Sequence, residues 1–378
     1  MDFRDFLASF REFFEASPIL EIDDGGRYVF LSDLHMGDGG GSDDLEHNRG
    51  LVLGALRSWY LDRGYTLILG GDVEELQKFK LKAIRKAWGE LYEVFDEFES
   101  KNALWKLVGN HDLSLLREDG YPYRLHHGLR LERDGRSIFC FHGHQASRLF
   151  VEHRYISEFV VKYLAKPLKV KNSSVSEDSR QKFKAERRIY RASKRLGVVS
   201  ICGHTHRPLF ESFSKYDSLR WSIEELLREY PASKADRRAR IAELVSLYRG
   251  ECERLGKKDV RWGLSRSLYE EKALLIPCVF NSGCATGKHG ITALEIEGGS
   301  IRLVHWSRDG AARPYLQEEA LLVDRLDESD AARYLLKEAD LDQVFARIDL
   351  LGDREGEALS RQEATAGEES GFLARAAE

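Results

Sequence analysis

The chain has 378 residues, of which 42% are apolar and 32% charged. That composition excludes a mainly disordered chain and leaves room for one domain with sizeable insertions. No apolar run reaches the roughly 18 residues that cross a bilayer, and a formal net charge of −5 gives no overall attraction for nucleic acid. Five cysteines, Cys140, Cys202, Cys252, Cys278 and Cys284, lack paired CxxC spacing and read as reduced core residues of a cytoplasmic protein.

Residues 1–20 carry neither a basic leader nor an unbroken apolar stretch, so no secretory signal is expected. Phe3, Phe6, Leu7, Phe10, Phe13 and Phe14 recur at helical spacing and predict an amphipathic helix. Its polar residues are Asp2, Asp5, Glu12 and Glu15 against Arg4 and Arg11, which favours docking on the protein body or a partner subunit over lying on a membrane. A catalytic domain is expected over 21–310. Within it, runs of Val, Ile, Leu and Phe predict buried strands at 28–31, 65–69, 104–108, 138–141, 198–201 and 279–280. Helical patterns at 51–61 and 83–98 alternate with the early strands and argue for a layered α/β core. A hairpin is expected over 292–306, turning at Gly298-Gly299.

Two segments of helical composition interrupt this rhythm, at about 147–196 and 213–272. Between 161 and 195 the first holds twelve Lys or Arg against Glu177, Asp178 and Glu186. This +9 patch opposes the overall sign. It lies between two strands that end in candidate ligands, where it would attract a phosphate-bearing substrate if it covers the crevice, with a plain solvated helical face the alternative. Residues 311–350 are Leu/Glu/Ala-rich and read as helical, and 351–378 as a disordered tail. No internal repeat is present.

Residue types that carry chemistry stand directly after the strands. Ser32-Asp33-Leu34-His35 comes after the first, Gly70-Gly71-Asp72 after the second and Gly109-Asn110-His111-Asp112 after the third. His142-Gly143-His144 comes after the fourth, and Gly203-His204-Thr205-His206 after the fifth. In an open α/β sheet the carboxyl ends of strands converge on one crevice, so these groups would meet. Imidazoles, carboxylates and an amide oxygen form a mixed N/O set that suits Mn, Fe or Zn, without the thiolates of a structural zinc site. In HGH the first histidine is preferred over His144 because it directly adjoins the strand. His47, His126, His127, His153 and His305 carry no such context.

The ordered series DLH, GD, GNHD, HGH and GHTH resembles the calcineurin-like metallophosphoesterases from about Arg27 to Trp306, apart from the two insertions. The resemblance implies a β-sandwich core flanked by helices (αββα), with the insertions as helical caps. It implies two divalent ions, Mn2+ foremost: Asp33, His35 and His206 would hold one, Asn110, His142 and His204 the other, and Asp72 would bridge them. A metal-bridging hydroxide would attack phosphorus in line. His111 would protonate the leaving oxygen, with Asp112 fixing its orientation. Arg207, Lys288 and His289 are candidates to bind substrate phosphate, with a plain solvated loop the alternative for Lys288 and His289.

The run GHTHRP and the inserted helices look similar to UDP-2,3-diacylglucosamine hydrolase-like bacterial phosphoesterases. Those enzymes, however, have Arg where this chain has His111, and His there is usual for phosphatases, phosphodiesterases and nucleases. A small or lipid-linked phosphoester is therefore the expected substrate. A nuclease is the alternative, supported by the basic segment, and a non-catalytic scaffold a third; the scaffold predicts degraded ligands, and all seven are intact. The sequence does not fix an oligomeric state.

Overall fold

Strand alternation sets the layers. The computed structural model describes residues 3–146, 179–260, 276–308, 314–326 and 330–352, and its strands are numbered along the chain. They are β1 (Ile19–Glu21), β2 (Arg27–Leu31), β3 (Thr66–Gly70), β4 (Leu104–Leu107), β5 (Leu125–His126), β6 (Gly128–Arg133), β7 (Arg136–Phe141) and β8 (Val199–Cys202). Next come β9 (Leu209–Phe210), β10 (Phe213–Ser214), β11 (Val279–Asn281), β12 (Ile291–Glu297), β13 (Ser300–Arg308), β14 (Leu322–Arg325) and β15 (Ala331–Asp340). One sheet has the order β14-β15-β13-β12-β2-β3-β4-β5, the other β1-β6-β7-β8-β11-β9-β10.

Because successive side chains point to opposite faces, Phe30 and Ile68 of the first sheet enter a core shared with Ile138, Val199 and Phe280 of the second. Val29, Leu31, Leu67 and Leu69 face the other way, into a second core. That outer core is closed by α2 (Arg49–Ala55), continued by a π-helical stretch (Leu56–Leu61), and by α3 (Leu81–Ala87) and α4 (Gly89–Ser100). On the second sheet, α1 (Phe3–Ala16) packs Phe10 and Phe13 edge-on against Phe139 and Phe141, with ring centroids 4.9 to 6.0 Å apart. The arrangement is a mixed α/β one, two sheets flanked by helices. No described helix is long and apolar enough to cross a membrane.

Within the insertions, α5 (Ser179–Leu196), α6 (Lys215–Glu229) and α7 (Ala235–Val260) are helical; 147–178, 261–275 and the tail from 353 lie outside the described residues. The expectation of helix over 311–350 needs correcting. Helices α8 (Pro314–Glu319) and α9 (Leu341–Leu351) flank two strands, and β15 pairs with β13 from Ser300↔Asp340 to Arg308↔Ala331. The composition of β15, AARYLLKEAD, favours a helix locally, but cross-strand pairing and burial of its first six residues prevail. Sequence reading also passed over the β6–β7 hairpin, whose turn residues Asp134 and Gly135 both have positive φ. Asp-Gly is the turn signal for that geometry.

Residue Arg333 on β15 reaches Glu295 on β12 through Nε (2.9 Å) and Asp324 through Nη1 (2.7 Å). The Tyr60 hydroxyl donates to Glu295 (2.8 Å) and accepts from the Trp306 indole (2.9 Å). Glu295 is fully buried. Arg333→Met should therefore cost about 3–5 kcal/mol in urea unfolding, because it strands a buried carboxylate. Arg333→Met with Glu295→Met should recover most of that loss; a double variant no more stable than the single would show that the pair is not the source.

Candidate metal centre

Strands β2, β3 and β4 run parallel in one sheet, and β7, β8 and β11 run parallel in the other. Their carboxyl ends deliver the motif residues to one place, with the backbone bent to do it. Asp33, His35, Asp72, His204 and His206 all have φ between 49° and 67°, five of the nine non-glycine residues with positive φ among those described. Such a conformation costs roughly 1–3 kcal/mol per residue and persists only where the surroundings enforce it. Enforcement comes from Asp33 N–H to Gly71 O (3.0 Å), His35 N–H to Asp72 O (2.9 Å) and Gly203 N–H to His142 O (2.9 Å). Close approach is equally demanding: a Cβ on Gly109 would lie 2.0 Å from Asp72 Oδ1 and 2.5 Å from Asp72 N.

Two trios of expected ligands result, Asp33–His35–His206 and Asp72–His142–His204, each with its ligand atoms within 4.8 Å of one another; a third such group among the described residues, His35–Glu75–His111, shares His35 with the first. In the first, His206 Nε2 lies 3.1 Å from both Asp33 Oδ1 and His35 Nε2. In the second, His142 Nδ1–H donates to the Gly70 carbonyl (2.9 Å), which turns Nε2 onto Asp72 Oδ2 at 3.0 Å. Asp72 Oδ2 is also 3.9 Å from His35 Nε2, so this carboxylate reaches both trios. The other oxygens are engaged: Asp33 Oδ2 accepts from Ser32 Oγ and His204 N, and Asp72 Oδ1 from His111 N. Asn110 stands in the same loop as His111, with its Oδ1 buried. Asp33 Oδ1, Asn110 Oδ1 and His142 Nε2 are left buried without a hydrogen bond of good geometry. Such atoms are costly unless something else satisfies them.

Electrostatics point the same way. Burial opposes charge on His206 and His142, yet Asp33 lifts His206 to about 10, and Asp72 with Asp33 lifts His142 to about 9. Burial would raise Asp33 and Asp72, but the imidazoles hold both well below the usual carboxylate range. Burial, reinforced by the charge on His142, presses His204 down to about 3. The carboxylates thus draw positive charge into a buried site, and the mixed N/O donors fit divalent transition metals.

Around the trios, several expectations change. Asp112 does not orient His111: it accepts from Gly109 N (2.6 Å) and Val73 N (2.8 Å) and pairs with buried Lys106 (3.2 Å), bracing the two ligand loops. The partner of His111 Nδ1 is Glu75 (2.9 Å), which also takes His35 Nδ1–H (2.9 Å). The sequence signal for Glu75 was an acid three residues after Asp72, as in Gly71-Asp72-Val73-Glu74-Glu75. His144 belongs to neither trio. Arg207 is paired with buried Glu186 on α5, while Lys288 and His289 are exposed. Cys284, unmarked by spacing, bonds to His206; burial raises its thiol, but the bond and charge of His206 together with a bond to Thr286 bring it down.

Comparison with known proteins adds little. No family model and no curated protein matches the chain. One matching solved structure is a conserved uncharacterized protein of Streptococcus pneumoniae, described as a predicted phosphoesterase. It is 12% identical, with 75% of this chain and 89% of that one covered, and a TM-score of 0.27. A likeness of that size leaves the site to be read from its own geometry.

Gly109→Ala tests that geometry, since the added methyl must displace Asp72. Because the methyl also meets the Asp72 backbone nitrogen, the variant should lose several degrees of thermal midpoint, and its folded fraction should bind Mn2+ about tenfold or more weakly by calorimetry. Wild-type affinity would show that the close approach is not what sets the ligands.

Proposed function

We propose that this chain is a dinuclear metal-dependent phosphoester hydrolase of the calcineurin-like kind. The observation that carries the reading is the pair of ligand trios linked by Asp72, with acceptor atoms left buried and unsatisfied. Asp33, His35 and His206 would hold one divalent ion, and Asn110, His142 and His204 the other, with Asp72 shared; Mn2+ is the first choice. When bound, such a pair activates water and takes up charge on the phosphoryl oxygens.

The chain's own residues supply the rest. A carboxylate can only accept, so Glu75 fixes the Nδ1–H tautomer of both His35 and His111. His35 is left with Nε2 free to act as a ligand. His111 Nε2 faces Asp72 Oδ2 at 4.0 Å, and burial, which would lower this imidazole, is outweighed by the bond to Glu75 and by Asp72, so its value is raised. Both contacts favour the protonated imidazole and its Nε2 is turned toward the centre, as a general acid for the leaving oxygen requires.

A small or lipid-linked phosphoester is the proposed substrate, handled by a catalytic domain over 21–310. Five free thiols support a reducing, cytoplasmic setting. One observation favours a nuclease instead: Lys184, Arg187 and Arg191 lie exposed along α5. A nuclease predicts DNA or RNA binding that falls steeply with salt, and flat or absent binding removes that reading.

Metal analysis of purified protein should give about two ions per chain, and Asp72→Ala should lose at least one. Retention of both would sink the shared-ligand assignment. His111→Ala should slow hydrolysis about 10²-fold for an alkyl phosphoester. The loss should be much smaller for a nitrophenyl ester, whose leaving group needs no proton, and equal losses on both would remove the acid role.

A further inference from the structure

Two ligands, His204 and His206, one from each trio, share the loop after β8, and both are held in the left-handed region. Between them stands Thr205, almost completely buried. Its hydroxyl donates to Glu186 Oε1 at 2.7 Å, and Arg207, the next residue beyond His206, pairs with the same carboxylate. From the other side Asn281, at the end of β11, donates through Nδ2 to Gly203 O (2.7 Å) and Thr205 Oγ1 (3.2 Å). The strained turn is thus gripped by a strand end and by an inserted helix.

The helical grip is rigid. Ala185, Ile189 and Ala192 join the core at i, i+4 and i+7. Glu186, Tyr190 and Ser193 form the adjoining buried row. Ser193 Oγ bonds Ser200 Oγ at the start of β8 (2.7 Å), and Tyr190 OH accepts from Ile276 N (3.3 Å). Helix α5 is therefore fixed to β8 near its carboxyl end, which leaves Glu186 no freedom to follow the loop; the loop must follow Glu186. A carboxylate with no exposed surface would be costly there without donors, and the donors it finds are the residues flanking the ligands.

We infer that Glu186 is a positioning residue for both metals, and that the inserted helix bearing it is a structural part of the centre rather than a cap laid over it. This rests on the two-metal reading of the site. Groups that hydrogen-bond a ligand directly typically set metal affinity by about 10–100-fold, and Glu186 acts on the two ligands through the residues that flank them.

The test is a calorimetric titration with Mn2+ of full-length, chelator-stripped protein. Glu186→Ala should weaken both ions about 10–100-fold. Thr205→Val, which removes only the hydroxyl, should do the same in direction, and Thr205→Ser should restore wild-type binding. The Glu186→Ala/Thr205→Val double variant should lose less than the two single losses combined, because both remove the Thr205–Glu186 bond, while Thr205→Val also removes the contact with Asn281. Should Glu186→Ala fail to fold, the Val and Ser variants at Thr205 carry the result. Folded Thr205→Val with wild-type affinity for both ions, or a loss confined to one ion, would overturn the inference while leaving the two-metal reading intact. Wild-type protein that binds no Mn2+ would overturn both.

Discussion

The rest of the centre depends on placing Asp33 and Asp72 out of water within each other's field, where each raises the cost of charging the other. Both remain ionised only because positive charge is supplied from every side. The two carboxylates draw that charge onto His142 and His206, pushing their imidazoles up to about 9 and about 10. Bringing imidazoles close enough requires strand ends from two sheets to meet at one edge, and the left-handed turns at Asp33, His35, Asp72, His204 and His206 are the geometric consequence. Strain of this kind is stable only inside a frame that has other reasons to hold its shape.

That frame is built from charge as well as from packing. Behind the β3 and β4 loops, Lys106 is fully buried between Glu74 (2.9 Å) and Asp112 (3.2 Å), and Glu74 takes the hydroxyls of Tyr92 and Tyr121. Asp112 uses both oxygens on the amides of Val73 and Gly109, beside Asp72 and Asn110. Glu75 does for His35 and His111 what Glu186 does for the His204–His206 turn. Three carboxylates outside the trios thus each tie two points of the site together. Coupling of that type loses more on breaking one contact than a pairwise count suggests.

That these side chains gather at one place was legible in the sequence because they stand directly after apolar runs that form neighbouring strands, and both signals are local. The supporting residues were hard to read for the opposite reason. Glu186 lies 19 positions from Thr205 in a segment dominated by basic residues, and nothing local separates it from a solvated helical acid. Asp112 was assigned to His111 on adjacency, but adjacent side chains in a tight turn diverge, and Glu75, 36 positions away, is the nearer group. In the fold, β15 was lost to a helical composition that long-range pairing overrode, and the β6–β7 hairpin to an Asp-Gly turn signal left unread.

Buried charge alone does not mark a functional site, and this chain holds the control for that statement. The Arg333–Glu295 cluster is as buried as the metal centre, yet its geometry closes: Nε and Nη2 of the guanidinium face one carboxylate, Nη1 faces Asp324, and Tyr60 is held between Glu295 and Trp306. A closed network of this sort stabilises or orients the strands that carry it and asks nothing from outside. At the centre the count does not close. Asp33 Oδ1, Asn110 Oδ1 and His142 Nε2 are buried without a hydrogen bond of good geometry, and His35 and His206 bring two Nε2 atoms within 3.1 Å of each other. One cluster is satisfied within the chain, and the other leaves buried polar atoms in groups that could hold a metal ion.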